Sequence, residues 1–335
     1  IFTIMDSNNN VLGVNIDANS VISQNERETF VPRRNKTEFN PKNYLNARLV
    51  NGETSKKLTI RLLPFSPEGG SPFFKVHLHT LKIKKENGSS WKTFMCPVKN
   101  NKGDKCPFCE LSEQARQMRY NATNEVEKKK YGDIEFMYRA KEAWICRVID
   151  RDHEEDGVKF WLFNASRKKD GVYDKIINIF NNRWEEAKKV GKELNIFDLN
   201  AGKDLTVTLT KDSNNKTVIQ ITDASFITPL SNDYNQAKGW IEDQKKWDEV
   251  YTIKSYDYMS IIAQGGIPVF DKEQQKYVDK EELDKKNEKA REEEIKENYT
   301  EQKKDFTKFV EDIENEQPQA QPKESNIFMT EDELP

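Results

Sequence analysis

Alternating apolar and polar positions predict a series of short β-strands through the middle of the chain. Leu58, Ile60 and Leu62 alternate with polar residues in the stretch LTIRLLP, which predicts a half-buried strand that turns Arg61 outward. Two later alternating runs flank the polar turn DSNN, which predicts a β-hairpin. The remaining predicted strands cover residues 73–84, AWICRVI and VKFWLFNA, and the hairpin covers 205–210 and 217–221.

Apolar residues spaced three to four apart predict helices elsewhere. The stretch GVYDKIINIFNNRWEEAKKVG carries such a stripe, and a helix places it on one face. The segment after Cys109 and residues 234–263 are also predicted to be helical. The strands are short and show no β-α-β alternation, so we expect a mainly β fold with α additions, an OB-fold-like, partly open barrel.

Composition divides the 335-residue chain into a basic body and an acidic end. Residues 1–270 carry 42 Lys and Arg against 36 Asp and Glu, whereas residues 271–335 carry 12 against 21. A basic body with an acidic tail is typical of proteins that bind polyanions. The sequence has no apolar run of about eighteen residues that would span a membrane, and no signal peptide is recognisable.

Four segments are expected along the chain. Residues 1–55 form a flexible extension with a basic arm, in which Lys42 and Arg48 follow Arg33, Arg34 and Lys36. Residues 56–266 form the core, with an inserted zinc-binding subdomain at about 73–115. Residues 267–316 form a charged helical segment, and 317–335 form a disordered acidic tail.

Three of the four cysteines lie close together in the sequence and predict a metal site. Cys96, Cys106 and Cys109 fall within fourteen residues, and the last two form a C-P-F-C step. One histidine would complete a tetrahedral Cys₃His set for structural Zn²⁺, but spacing does not separate His77 from His79. A thioredoxin-like redox pair is the alternative, and the lysine-rich loop before C-P-F-C disfavours it. The fourth cysteine, Cys146, is predicted to be an inert core thiol.

Aromatic and basic residues interleave around the predicted strands, a combination that single-stranded nucleic acid requires. No G-x-S-x-G, Walker A or H-E-x-x-H motif is present, so we expect a binding protein rather than an enzyme. The predicted DNA contacts are Arg61, Lys75, Lys82, Tyr120, Tyr131, Tyr138, Arg139 and Trp161.

Several stretches resemble a known family. LTIRLLP, the Pro72-Phe73 pair with His79 following, the C-x₉-C-P-x-C spacing, YRAKEAW and VYDKIINIF are similar to segments of the helix-destabilising single-stranded DNA-binding proteins of T-even-type phages. The likeness covers roughly residues 56–265. It implies an OB-fold core with a zinc subdomain. It also implies a basic arm for cooperative self-association along DNA, and a tail that recruits replication and recombination proteins.

Carried over by position, the resemblance assigns zinc to His79, Cys96, Cys106 and Cys109, and places Arg61 and Arg139 on basic positions of the family. In the tail, an apolar pair beside acidic residues is expected to anchor a partner; these residues are Phe328, Met329, Glu331, Asp332 and Glu333.

The expected function is therefore sequence-independent binding of single-stranded DNA in replication, recombination and repair, without catalysis. The expected location is the cytoplasm of an infected bacterial host, where thiols stay reduced, and no membrane partner is expected. The alternative function is a zinc-ribbon accessory factor of transcription or recombination that acts mainly through protein contacts. A metal-dependent nuclease ranks last, since no carboxylate cluster is evident.

Overall fold

The computed structural model describes residues 2–5, 11–14, 39–50, 52–63, 71–191 and 196–315. The chain divides into two units, Ile1–Pro268 and Val269–Pro335. Strands run over β1 Phe2–Met5, β2 Val11–Val14, β3 Ser55–Leu63, β4 Phe73–Lys85, β5 Gly88–Met95, β6 Lys141–Asp150, β7 Lys159–Asn164, β8 Leu205–Lys211, β9 Thr217–Asp223, β10 Pro268–Asp271 and β11 Lys276–Asp279. Helices run over α1 Pro107–Asn121, α2 Glu125–Tyr138, α3 Val172–Lys189, α4 Tyr234–Glu242, α5 Trp247–Val250, α6 Tyr256–Ala263 and α7 Lys280–Asn315.

A seven-stranded antiparallel sheet organises the first unit. Its strand order is β5-β4-β6-β3-β8-β9, and β7 pairs with β6. Residues 143–148 of β6 pair with β7 on one edge, while the opposite edge pairs first with β4 and then with β3. Within the described residues no ladder joins β5 to β9, so the sheet is open. The fold is mixed α/β, and the expected OB-fold barrel is not established by these ladders.

The main core includes buried residues from both faces of this sheet. Helix α3 packs its apolar stripe there, with Ile176 and Phe180 fully buried. Trp144 of β6 stacks on Tyr173 of the same helix at 4.1 Å between ring centroids. The predicted strands β4, β6 and β7, the β8–β9 hairpin and helix α3 all form in the expected places. Strand β8 buries alternate residues, as its periodicity predicts, whereas β6 is buried on both faces.

A smaller core encloses the predicted metal ligands. The β4–β5 hairpin contributes Leu81, Ile83 and Phe94, which pack against Phe108 of α1 and Met259 of α6. Strand β5 was not predicted: half of its eight residues are polar, and only Phe94 and Met95 are buried. An edge strand with one solvated face produces that pattern.

The N-terminal and C-terminal segments contain more secondary structure than the sequence indicated. Strands β1 and β2 pair antiparallel inside the region expected to be flexible. Leu45, at the end of the proposed basic arm, is buried in the main core. In the second unit, β10 and β11 pair ahead of helix α7, which covers most of the segment predicted to be helical. No helix within the described ranges is long and apolar enough to cross a membrane.

Candidate metal centre

Three elements deliver the four predicted ligands to one place. Strand β4 carries His79, the turn that ends β5 carries Cys96, and the start of α1 carries Cys106 and Cys109. Cys106 is the N-cap of α1 and its thiol makes no capping bond, while Pro107 begins the helix. Proline suits that position because the first helical N–H has no intrahelical partner. Cys106 and Cys109 therefore lie on the first turn of the helix.

The ligand atoms form a small cage. All four lie within 4.8 Å of one another. Cys96 Sγ is 3.5 Å from Cys109 Sγ, and His79 Nε2 is 3.4 Å from Cys106 Sγ and 3.7 Å from Cys109 Sγ. A tetrahedral Zn²⁺ separates two sulfurs by about 3.8 Å and a sulfur from a nitrogen by about 3.6 Å, given its usual bond lengths. The donor set and its spacing fit that ion, and all four cysteines of the chain are free thiols.

Hydrogen bonds outside the cage orient two of its ligands. His79 Nδ1 lies 2.7 Å from the carbonyl oxygen of Tyr138. Donation from Nδ1 to that carbonyl leaves the Nε2 lone pair directed at the thiols, an arrangement common among metal-bound histidines. The backbone N–H of Lys99 donates to Cys96 Sγ at 3.4 Å. Both of these ligands are thus held by the surrounding backbone.

The geometry separates the two histidines that spacing left equivalent, and it favours the one that the family resemblance assigned. His79 is fully buried among the cysteines. The ring of His77 lies near Glu142 instead, with Nε2 3.9 Å from Oε1. The backbone of His77 pairs with Asn100, because its N–H donates to the Asn100 side-chain oxygen and its carbonyl accepts from the Asn100 amide, both at 2.8 Å. His77 thus ties the turn after Cys96 to β4, and His79 is the ligand.

The three clustered thiols shift one another's pKa values. Hydrogen bonds from Cys109 and Cys96, together with His79, lower the pKa of Cys106. The bond to Cys106 raises the pKa of Cys96 and, at Cys109, raises the pKa to about 11. The three thiols therefore do not all ionise together in the absence of a cation. A divalent ion offsets this, because it binds all three as thiolates.

The centre is suited to a structural role. Its four protein donors fill a tetrahedral shell and leave no position for a reacting water. Phe108, between the two α1 cysteines, packs on the ring of His79 at 5.2 Å and on Phe94 at 5.5 Å. Cys146 lies apart in the main core, as predicted, and burial raises its pKa there.

Two of the predicted DNA contacts are wrong. Arg61 is 1% exposed, and its guanidinium binds Asp204 at 3.1 Å and the Thr228 carbonyl. Burial lowers the pKa of Arg61 to about 10, against the opposing effect of Asp204. Trp161 is buried in the main core beside Phe163. Both faces of the sheet are covered at these two positions.

The other predicted contacts divide between exposed and half-buried positions. Lys82 and Tyr120 are exposed. Lys75 is half-buried and paired with Glu142 at 2.9 Å. The half-buried Tyr138 stacks against Phe108, so its ring belongs to the metal subdomain. Tyr131 and Arg139, both half-buried, lie on α2 and at its C-cap.

Two exposed rings escaped the sequence analysis. Phe136 precedes the predicted contact Arg139 by three residues, one helical turn, and is 56% exposed. Trp91 is 69% exposed on β5. Trp91 lies three residues before the buried Phe94, which places the two rings on opposite faces of a strand. This spacing predicts an exposed Trp91 if β5 is assigned as a strand.

The tail residues Phe328 to Glu333 lie outside the described residues. Comparison of the chain with protein-family models and with curated proteins finds no match.

Proposed function

We propose that this protein binds single-stranded DNA without sequence preference and acts in replication, recombination and repair. The observation that carries the proposal is an exposed ring flanked by two cations at the end of α2. The guanidinium carbon of Arg139 lies 5.2 Å from the centroid of Phe136, and Lys141 Nζ lies 4.8 Å from it. A ring on which an unpaired base can stack, beside charges that neutralise its phosphates, is the combination such binding needs.

A hydrogen bond joins the metal centre to this surface. The Tyr138 carbonyl that accepts from His79 lies between Phe136 and Arg139 in the sequence, so the ligand and the end of α2 are joined directly. Preorganised contacts cost less ordering entropy on binding. Lys128, Lys129 and Lys130 also lie on α2, which carries four carboxylates as well, and Lys128 pairs with Glu125.

The proposal also covers the identity of the bound ion, the type of core and the interactions of the two ends of the chain. The bound ion is structural zinc. The open sheet, whose strand β6 changes partners from β4 to β3 along one edge, supports an OB-like core of the kind found in T-even-type helix-destabilising proteins. Self-association through the basic arm, recruitment of replication proteins by the acidic tail and work in the host cytoplasm complete the proposal.

Titration of labelled oligo(dT) and of duplex DNA, followed by fluorescence anisotropy at two salt concentrations, tests it. We expect preference for the single strand, with log affinity falling by about 0.7 per phosphate contact for each unit of log salt. Phe136→Ala should weaken binding by about 1–3 kcal/mol, and Arg139→Gln should reduce the salt slope. Phe226→Ala is the matched control, because Phe226 is 80% exposed elsewhere on the first unit.

Absence of oligo(dT) binding by the full chain would contradict the proposal. That result would favour the zinc-ribbon accessory factor, which predicts no affinity for single strands. Equal losses from Phe136→Ala and Phe226→Ala would remove the argument from the ring and its two cations.

A further inference from the structure

The β4–β5 hairpin presents a second exposed ring beside lysine side chains. Lys82 of β4 lies directly opposite Trp91 of β5 in the antiparallel register, and Lys84 lies opposite Ser89. Side chains directly opposite in an antiparallel pair share one face of the sheet, and their Cβ atoms are about 5 Å apart. On the other side of Trp91 come Thr80 and Thr93, whose hydroxyl oxygens are 3.5 Å apart.

This face of the hairpin leaves the indole open. Trp91 is 69% exposed, whereas Trp184 is half-buried and the other four tryptophans, Trp144, Trp161, Trp240 and Trp247, are buried. Its cross-strand and diagonal neighbours are either small hydroxyl residues or lysines, and none of them is a second large apolar side chain. An indole surrounded by hydroxyls and ammonium groups is suited to a ligand that has a flat face and negative charge.

The opposite face of the hairpin holds it rigid. Leu81, Ile83 and Phe94 are buried there with the ligands Cys96 and Cys106. Lys92, which also points to that side, donates to the Tyr258 hydroxyl at 3.0 Å. The exposed Trp91 ring therefore lies on a strand that packs into the metal subdomain. Because that strand is already ordered, little conformational freedom is lost when a ligand stacks on the ring.

We infer that Trp91 is a stacking position for an unpaired nucleobase, with Lys82 beside it as the contact for the adjoining phosphate. This inference rests on the proposed single-strand binding and adds a position on a different element from Phe136. An aromatic face accepts any base, since every base has a π-face, and lysine neutralises phosphate without reading sequence. A protein partner for this face is the competing outcome, because indoles also anchor protein interfaces.

Acrylamide quenching of tryptophan fluorescence tests the inference on the full zinc-loaded chain. Trp91 should account for most of the quenching of the free protein, and saturating unlabelled oligo(dT) should suppress it. In Trp91→Leu the oligo(dT)-dependent change in quenching should disappear. Affinity measured separately by anisotropy should fall about 5- to 150-fold, while Trp91→Phe should recover part of the loss.

Control variants distinguish stacking on Trp91 from single-strand binding by the protein as a whole. Zinc content and the melting temperature should be unchanged in Trp91→Leu, and Lys92→Gln should leave the salt slope intact while Lys82→Gln reduces it. If wild type binds oligo(dT) but Trp91 stays equally open to acrylamide and Trp91→Leu binds as tightly, the inference is overturned and the proposed function stands. If wild type does not bind oligo(dT), both are overturned.

Discussion

Substitution of His79 tests whether this histidine and the three clustered cysteines bind a metal ion. His79→Ala should abolish binding of one equivalent of Zn²⁺, whereas His77→Ala should retain it. His79 Nε2 lies 3.4 Å from Cys106 Sγ within the cage. His77 lies two residues away on the same strand, but its ring approaches Glu142 at 3.9 Å. The two variants remove the same side chain from one strand and differ only in position.

The size of the effect follows from linkage. An ion that binds only the folded state at a free concentration of about 1,000 times its Kd stabilises by about 4 kcal/mol. For a unit of this size that corresponds to roughly 8–16 °C in melting temperature, at about 2–4 °C per kcal/mol. His77 is 24% exposed beside a more exposed carboxylate, so its removal costs about 1 kcal/mol or less. The two variants should therefore melt many degrees apart.

Thermal unfolding followed by circular dichroism, with zinc measured by mass spectrometry, provides the assay. Chelation of wild-type protein should lower its melting temperature to near that of His79→Ala, and should change that variant little. Cys106→Ser should behave as His79→Ala does. A full equivalent of zinc on the His79→Ala protein, or equal melting temperatures for the two histidine variants, would refute the assignment.

Three further outcomes are expected. Arg61→Met should lower the free energy of unfolding by about 3 kcal/mol, since Arg151 still partners Asp204, as measured by denaturant titration. The same substitution should leave the salt slope of DNA binding unchanged when binding is followed by anisotropy. A shallower slope would restore Arg61 as a phosphate contact. The free energy of unfolding should fall as pH rises above about 9, because burial raises the pKa of Cys146 above its ordinary 9.0. The thiol stays neutral in the folded protein but ionises in the unfolded chain. The contribution of this thiol to stability is therefore full below about pH 9 and is lost above it. Cys146→Val should flatten that decline between about pH 9 and 10, and an unchanged decline would exclude the thiol as its source. Truncation after Ala320 should raise affinity for single strands at low salt and abolish capture of replication proteins, because an acidic arm competes with DNA at high effective concentration; equal affinity and unchanged capture would contradict this.

The sequence alone was sufficient to predict features whose interacting residues lie close together in the chain. Cys96, Cys106 and Cys109 lie within fourteen residues, so one turn and the start of one helix bring them together. Helix α3 and the β8–β9 hairpin were likewise predictable, because their periodicity, turn residues and apolar faces all agree. These features depend on contacts between residues that are near each other in the chain.

Tertiary structure alone decided the features that depend on distant elements. Alternation assigns Arg61 to a side of β3, but Asp204 and Thr228, far along the chain, determine that this side is buried. Spacing left His77 and His79 equivalent, and the position of α1 against β4 favours His79, as the family resemblance also did. The exposure of Trp91 depended on α1 and α6 covering only one face of the hairpin. Periodicity specifies which face a side chain occupies, whereas burial of that face depends on packing between elements separated in sequence.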